Sequence, residues 1–285
     1  MISSAPMPAS VLPRRIPPSS AAEERLPPKP DVVLIHGWGF DQTIWTPLAD
    51  SLSKMFTIRL AALPGYAPAK PASTGFDETA RRLADETPEG AILCGWSLGG
   101  LIALRAAIRF PRRFGGLVLI GTTPRFTCGT GWAHAQPLEL LESFTESVKN
   151  DPAGTLQRFN ALLNRGDTRA RNALRALSST LTSIPDATSL FQGLEWLRDV
   201  DLRPEIASIE IPVRLIHGDK DPLMPLQAAQ WMEANLRNAR LKTVFGAAHA
   251  PFINDPESVV HQIAELSNSL HASSSDCETA RPRVV

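Results

Sequence analysis

The sequence predicts an α/β fold: a mostly parallel, doubly wound sheet with a helical cap inserted between two of its strands. Short β-branched and aliphatic runs alternate with longer segments of helical period, which indicates βαβ units. The runs are apolar throughout, as in strands covered on both faces. One stretch, 122–205, contains helical patterns but no convincing strand. Functional groups are expected at the carboxyl ends of the strands.

The predicted elements follow from these patterns in chain order. The strands are expected at 32–36, 56–60, 91–95, 117–121, 213–217 and 241–245. The helices that alternate with them are expected at 42–53, 77–86, 98–109, 226–236 and 257–266. Four further helices, separated by Pro and Gly, are expected in the cap near 137–149, 153–164, 168–182 and 188–198.

The domain organisation follows from composition. Residues 1–30 hold eight of the 25 prolines, which predicts a disordered tail, and the Ser-rich stretch 267–285 predicts a second one. The sheet core is then expected at 31–121 and 206–266. The inserted cap, or lid, lies over the carboxyl end of the sheet, where it can form one wall of a pocket and exclude water.

Composition excludes several classes of function. The chain has 285 residues, 43% of them hydrophobic, and its 29 basic and 29 acidic residues cancel, so no overall field attracts nucleic acid. No apolar stretch approaches the roughly 20 residues that cross a bilayer, and no signal peptide is apparent. Cys94, Cys128 and Cys277 form no Cys-x-x-Cys pair. We expect a cytoplasmic monomer that binds neither nucleic acid nor membrane and needs no metal or organic cofactor.

The strongest motif joins the third predicted strand to a helix. Residues 95–100 read Gly-Trp-Ser-Leu-Gly-Gly, so Gly-x-Ser-x-Gly lies on a strand-to-helix turn that presents Ser97 as a nucleophile. The glycines at 95 and 99 permit close packing around the sharp turn. The helix N-terminus favours negative charge as it develops. The alternative is an ordinary glycine-containing turn with an incidental serine N-cap.

A serine nucleophile needs a general base, and His249 is the candidate. It lies in a loop of small residues after the last predicted strand, at the carboxyl end of the sheet. A surface-loop histidine is the alternative interpretation. His36 and His217 end strands and are interpreted as structural. The remaining histidines, which lack such a position, are His134, His261 and His271.

The base needs a carboxylate, and the loop after the strand at 213–217 offers Asp219 and Asp221. Asp221 is preferred because it lies farther into the loop, whereas Asp219 is placed to cap the turn. The order Ser, Asp, His along the chain is that of α/β-hydrolases and differs from the orders of chymotrypsin and subtilisin.

Acyl transfer also needs donors for an oxyanion. The main-chain N–H of Leu98, directly after the nucleophile, supplies one, and that of Trp38 in His-Gly-Trp-Gly after the first strand supplies another. Trp38 and Trp96 are expected to form aromatic walls of a substrate pocket beside Ser97. For Trp96, core packing is an equal alternative.

The cap carries a local excess of positive charge. Between 158 and 175, five arginines face a single acidic residue, Asp167, and Arg171 and Arg175 share one helical face. The run is either a solvated face or a dock for an acidic or phosphate-bearing partner.

Three segments together resemble a known family, the pimeloyl-[acyl-carrier protein] methyl ester esterases of biotin synthesis. They are the His-Gly-Trp-Gly at 36–39, the motif at 95–100 and Ala-Ala-His-Ala-Pro-Phe at 247–252, and the similarity spans roughly 32–265. The resemblance implies an α/β-hydrolase fold with a helical lid, a Ser97, Asp221 and His249 triad, and Trp38 and Leu98 as oxyanion donors. It also implies that lid arginines contact the acyl carrier, here Arg158, Arg171 and Arg175.

The sequence departs from the family at two places and leaves rival functions open. The Pro-rich residues before Asp31 do not resemble the antiparallel strands that usually open the fold, and Ala61-Ala62 stands where relatives often carry Asp. A general esterase for short free esters, a lyase on the same scaffold and a non-catalytic ligand-binding protein are the alternatives.

Overall fold

A computed structural model describes residues 29–66, 74–167, 169 and 185–279 of the chain. Its centre is a six-stranded sheet in the order β2-β1-β3-β4-β5-β6, in which every pair of neighbours is parallel. The strands are β1 Asp31–Ile35, β2 Thr57–Ala61, β3 Ile92–Trp96, β4 Gly116–Ile120, β5 Val213–Gly218 and β6 Ala239–Val244. All six predicted strands are confirmed, with ends shifted by one or two residues.

The described helices agree with the predicted ones apart from their ends and from one short helix at Pro251–Asn254 that was not predicted. They are α1 Thr46–Leu52, α2 Phe76–Glu86, α3 Leu98–Arg109, α4 Leu138–Asn150, α5 Pro152–Leu163, α6 Ala187–Asp199, α7 Leu226–Asn235, α8 Pro251–Asn254 and α9 Pro256–Thr279, with 3-10 turns at Gln42–Trp45 and Ile206–Ser208. Residues 1–28 of the tail predicted at 1–30, and all but residue 169 of the helix predicted at 168–182, lie outside the described residues.

The middle of the sheet forms the core. β3, β4 and β5 are buried at every position, as their continuous apolar runs predict, whereas the edge strand β2 is largely exposed. α3 packs closely on this centre, because a Cβ at Gly95 would lie only 2.5 Å from Gly100 Cα and one at Gly99 would overlap the main-chain oxygen of His36. These contacts place the start of α3, and therefore Ser97, against the carboxyl ends of β1 and β3.

The cap follows β4 and returns to β5. Its described helix α4 contacts both α5 and α6, and α5 begins with an N-cap in which Asp151 accepts from Gly154 N–H. The two ends of the cap meet: Leu202 N–H donates to Pro124 O at 2.9 Å, and the Asp201 carboxylate binds the Arg125 guanidinium at 2.7 Å. The first and last residues of the cap are therefore bonded to each other where the chain enters and leaves it.

The C-terminal helix corrects one expectation. The helix is predicted to end at 266 and to be followed by a loose tail from Ser267, but α9 continues to Thr279. Leu266 is fully buried, Ser267 is 4% exposed, and Leu270, one turn farther on, packs against the core. Apolar residues at helical spacing thus continue into the Ser-rich stretch. Their packing on the core keeps the helix formed where composition predicts a tail.

The structure also bears on the membrane question. In the described part of the chain, no helix combines the length and the apolar character needed to cross a bilayer.

The packing of α9 predicts the effect of truncation. A chain that ends at 266 lacks both the buried Ser267 and the Leu270 contact, and we expect its free energy of unfolding to fall by about 1–2 kcal/mol, the scale of partly burying one leucine. A chain that ends at 279 is the control and keeps the wild-type value. Urea unfolding measures both, and equal stability of the two truncated chains would show that 267–279 do not pack on the core.

Candidate active site

Ser97 lies in a strained turn between β3 and α3. Its φ of 55° and ψ of −119° make it the one non-glycine residue with positive φ among those described. Such a conformation costs of order 1–3 kcal/mol and persists only where the surroundings impose it. Here Ser97 N–H donates to Ile120 O at 2.9 Å, and the Ser97 carbonyl accepts from Gly100 and Leu101. The Ser97 hydroxyl makes no capping hydrogen bond, which argues against the incidental N-cap alternative.

His249 is buried in the loop after β6 and is bound to a carboxylate. Its Nδ1 lies 2.7 Å from Asp221 Oδ2. Because an ionised carboxylate only accepts, Nδ1 carries the proton, and Nε2 of the neutral ring has a free lone pair. Nε2 is buried and has no hydrogen-bond partner in the part of the chain that the structure describes. The His249 ring thus has the tautomer that a general base requires.

His249 lies close to Trp96, which precedes Ser97, and to Gly121, in the turn after β4. Trp96, directly before Ser97, donates its indole N–H to His249 O at 2.9 Å, and the two rings are 5.6 Å apart. Gly121 follows Ile120, whose carbonyl accepts from Ser97 N–H. A Cβ placed on Gly121 would be 3.2 Å from His249 Nδ1. The loop after β6 therefore meets the turns after β3 and β4.

Asp221 is fully buried and all its contacts stabilise the charged form. Oδ1 accepts from Leu223 and Met224 N–H, each at 2.9 Å, and Oδ2 faces His249 and, at 3.5 Å, His217 Nε2. Burial raises the pKa of this carboxyl, but attraction to His249, the bond to it and the charge of His217 together bring the pKa below its ordinary value. Asp221 is therefore ionised at neutral pH.

Asp219 has a different task. Its Oδ1 accepts from Gly246 N–H at 2.5 Å, so it ties the loop after β5 to the loop after β6. The structure joins the preferred Asp221 to His249, but Asp219 contacts the loop after β6, and the N–H groups of the turn after β5 donate to Asp221 and not to Asp219 as predicted.

The two predicted oxyanion donors are the N–H groups of Trp38 and Leu98. Leu98 is the first residue of α3, and Trp38 lies in the loop after β1. Within the described ranges, neither main-chain N–H donates to a protein acceptor. The Trp38 side chain joins the sheet to the cap: its Nε1 donates to Leu190 O at 2.9 Å, and its ring packs edge-on against Phe144 and Phe159.

An apolar cavity of about 100 Å³ extends from Ser97 into the cap. Its walls include Trp38, Phe144 and Phe159, and of the described residues that line it only Ser97 and Gln136 lack an aromatic or aliphatic side chain. The lining residues Leu140 of α4 and Leu162 of α5 are exposed, so the cavity opens between these two helices. The space suits an unbranched apolar chain that reaches Ser97 from the cap side.

Trp96 does not line this cavity. It is 1% exposed, packs against Phe40 and Phe252, and holds the His249 carbonyl. The structure favours the core-packing alternative over the predicted substrate-binding wall. The reason is that Phe40, Phe252 and the His249 ring all pack against the Trp96 indole.

The lid arginines are only partly described. Arg158 is exposed on α5, where its guanidinium contacts Thr155 Oγ1 at 2.8 Å and Asp151 Oδ2 at 3.5 Å, one turn from Leu162 at the rim of the cavity. Arg171 and Arg175 lie outside the described residues.

The sequence analysis missed the residues that build the cavity and hold the loops. The apolar residues of α4 and α5 carry a helical period, but the same period predicts core packing, so it does not mark a cavity wall. Gln136 donates to Leu223 O at 2.7 Å and Tyr66 accepts from Gly39 N–H at 3.0 Å. No sequence motif distinguishes either residue.

Comparisons with known proteins agree with this geometry. A model of a family described as the alpha/beta hydrolase family matches residues 32–262. A protein of Aromatoleum aromaticum named pimeloyl-[acyl-carrier protein] methyl ester esterase is 39% identical over 236 residues, which are 80% of this chain and 94% of that protein. One of the same name from Edwardsiella ictaluri is 36% identical, over 84% and 94%.

Solved structures support the fold. An esterase from Exiguobacterium antarcticum has a TM-score of 0.73 at 22% identity and covers 84% of this chain and 92% of its own. The enol-lactonase from Burkholderia xenovorans has a TM-score of 0.72 at 22% identity, with coverages of 86% and 94%.

The buried histidines predict a pH dependence of stability. Burial lowers the pKa of His36 from 6.5 to about 4, against its hydrogen bond to Gly37 and the charge of Asp41, and burial also lowers the pKa of His217. Between pH 4 and 6.5 the unfolded chain therefore binds more protons than the folded chain. His36 alone is expected to reduce the free energy of unfolding by roughly 3 kcal/mol as pH falls from 6.5 to 4.

Chemical unfolding at a series of pH values measures this loss. His36→Asn, which cannot titrate, should show a shallower decline over this range than the wild type. His261→Asn, at an exposed position on α9, is the control and keeps the wild-type slope. Coincident curves for His36→Asn and the wild type would contradict the assignment.

Proposed function

We propose that this chain is a serine carboxylesterase acting on the methyl ester of pimeloyl-acyl-carrier protein in biotin synthesis. The chain belongs to the alpha/beta hydrolase family and, within it, to the pimeloyl-[acyl-carrier protein] methyl ester esterases. The observation that carries the proposal is the buried bond of 2.7 Å from His249 to Asp221 beside the strained Ser97. The relatives' names supply the substrate, and the apolar cavity at Ser97 is compatible with its methylene chain.

In the proposed mechanism, Ser97 Oγ attacks the ester carbonyl and its proton passes to His249 Nε2. This step needs a hydrogen bond from Ser97 to Nε2, which the structure does not contain. Rotation of the Ser97 side chain, as substrate binds, is the movement that we propose forms it, since such bonds often tighten only in the complex. Asp221, ionised and fully buried, stabilises the imidazolium.

The negative charge of the tetrahedral intermediate is held by main-chain donors. The Trp38 and Leu98 N–H groups would bind the oxyanion at the N-terminus of α3. Collapse of the intermediate breaks the bond to the methoxy oxygen, which takes the proton from His249 and leaves as methanol. A water molecule activated by His249 then hydrolyses the acyl-enzyme and releases the free terminal carboxylate, with the other end of the chain still on its carrier.

The carrier would remain outside the cavity. Leu140 and Leu162 form the apolar rim through which the chain enters, and Arg158 lies one turn from Leu162 on α5. We propose that Arg158, together with Arg171 and Arg175, attracts the acidic surface and the phosphate of the carrier.

The nucleophile is tested with a serine-directed phosphonate. We expect one covalent adduct on Ser97, found by peptide mass spectrometry, with loss of methyl ester hydrolysis. Ser97→Ala should form no adduct and lose at least about 10³-fold in kcat, as expected when the attacking group of a triad is removed. A wild-type chain that forms no adduct and hydrolyses no ester would support a ligand-binding protein instead.

The lid arginines are tested by comparing carrier-linked and free methyl pimelate. Replacing Arg158, Arg171 and Arg175 together by Ala should raise KM for the carrier-linked ester about tenfold at low salt, less at high salt, and leave free-ester turnover unchanged. Arg237→Ala, at an exposed site by the amino end of β6, is the control. Unchanged turnover of both esters would exclude docking through these arginines and favour a general esterase.

A further inference from the structure

The loop that carries the Trp38 N–H is held on both sides of that residue. On one side, His36 Nδ1 lies 2.9 Å from Gly37 O, and Leu63 N–H donates to His36 Nε2 at 3.0 Å, which places the ring proton on Nδ1. On the other side, Gly39 N–H donates to the Tyr66 hydroxyl oxygen at 3.0 Å. The main chain at Trp38 is therefore fixed by two side-chain contacts.

These contacts determine where the Trp38 N–H points. The Gly37 carbonyl and the Trp38 N–H belong to one planar trans peptide and point in opposite directions, so a bond that fixes the carbonyl also fixes the N–H. The following peptide, between Trp38 and Gly39, is fixed by the Tyr66 hydroxyl. With both flanking peptides held, rotation about the Trp38 backbone is restricted.

Tyr66 is well suited to this task. It is 3% exposed, and its ring lies 4.7 Å from the ring of His36. Burial raises the pKa of the phenol above its ordinary value, so that the hydroxyl is neutral at any working pH. Gly39 has a φ of 77°, a left-handed conformation that other residues avoid, and a Cβ there would lie 2.9 Å from Leu156 of the cap. Because residue 39 has to be glycine, it has no side chain of its own that could hold this turn, and the Tyr66 hydroxyl holds it through Gly39 N–H.

We propose that Tyr66 is a positioning residue for the oxyanion donor, acting through Gly39 N–H on the orientation of the Trp38 peptide. This inference rests on the proposed esterase function, in which Trp38 N–H binds the oxyanion. Tyr66 touches neither substrate nor nucleophile in this role. Its effect is confined to the transition state, because the carbonyl oxygen of the ester gains full charge only there.

The test uses Tyr66→Phe, which keeps the ring against His36 and removes the acceptor of Gly39 N–H. Loss of an entire oxyanion donor lowers kcat by about 10²–10³, so its misorientation is expected to lower kcat about tenfold. We expect KM for free methyl pimelate to change less than about twofold, since ground-state contacts are kept.

A transition-state probe separates positioning from general damage. A trifluoromethyl ketone analogue of the ester forms a hemiketal with Ser97: the serine oxygen bonds to the carbonyl carbon, its proton passes to His249, and the ketone oxygen becomes the oxyanion. For Tyr66→Phe, its inhibition constant should rise by the factor lost in kcat/KM. Inhibition by the N-methyl amide analogue of the ester, a ground-state ligand whose carbonyl carbon stays planar, should be unchanged. If both inhibitors weaken equally, or neither does, the proposal is wrong.

The matched control is Thr87→Val. Thr87 is 3% exposed, and its hydroxyl donates to Leu83 O at 2.6 Å, at the end of α2 before the amino end of β3. This variant removes a buried hydrogen bond between a hydroxyl and the main chain near the amino end of β3, away from the candidate site. We expect it to lower the Tm while kcat and both inhibition constants stay at wild-type values. A tenfold loss of kcat in Thr87→Val would show that Tyr66→Phe reports only on stability.

A second measurement holds even if Tyr66→Phe does not fold. Tyr66 is the only tyrosine in the chain, so biosynthetic 3-fluorotyrosine places a single ¹⁹F probe beside the hydroxyl. Its resonance should move when the trifluoromethyl ketone binds and stay in place with the N-methyl amide analogue. A resonance that ignores the ketone would overturn the inference, whereas a wild-type chain without Ser97-dependent turnover would overturn the proposed function itself.

Discussion

The hydrogen bond between His249 Nδ1 and Asp221 Oδ2 joins the two loops that follow β5 and β6, and the candidate site depends on it. Both partners are buried, so each would be costly to keep without the other: the carboxylate would lack a counter-charge, and the imidazole a defined tautomer. The neighbouring Asp219 reinforces the same pair of loops through Gly246 N–H. Sheet order brings them together, because β5 and β6 are adjacent and parallel.

The cap covers the candidate site and also forms hydrogen bonds with the loops that build it. His249 N–H donates to Leu163 O at 3.2 Å at the end of α5, and Ala248 N–H donates to Asp167 Oδ2 at 3.4 Å. On the other side of the cavity, Trp38 Nε1 donates to Leu190 O of α6. The loops that carry the base and one oxyanion donor are thus each bonded to a cap helix or to the turn after it. A movement of the cap that widened the cavity would also disturb these loops.

The sequence predicts the sheet well because each strand is a buried apolar run, and it predicts Ser97, Asp221 and His249 as candidates because each follows a strand at its carboxyl end. It predicts poorly wherever tertiary contacts decide. Leu270 continues α9 through a Ser-rich segment that composition assigns to a tail. Trp96 packs in the core against Phe40 and Phe252, and the Gly-x-Ser-x-Gly motif gives no sign of these contacts. Tyr66 meets Gly39 only once the loops after β1 and β2 are adjacent.

Contacts also support the sequence prediction of His249 over the two other buried histidines. His36, His217 and His249 all lie at the carboxyl side of the sheet, and residue type does not separate them. Contacts do: His36 engages both ring nitrogens with main-chain groups, and His217 Nε2 lies 2.7 Å from Met224 O. Only His249 combines a carboxylate at Nδ1 with a buried Nε2 that has no partner among the described residues. A general base needs both features, since the carboxylate stabilises the proton that the open nitrogen receives. Geometry therefore selects the base within a set that chemistry alone leaves equivalent.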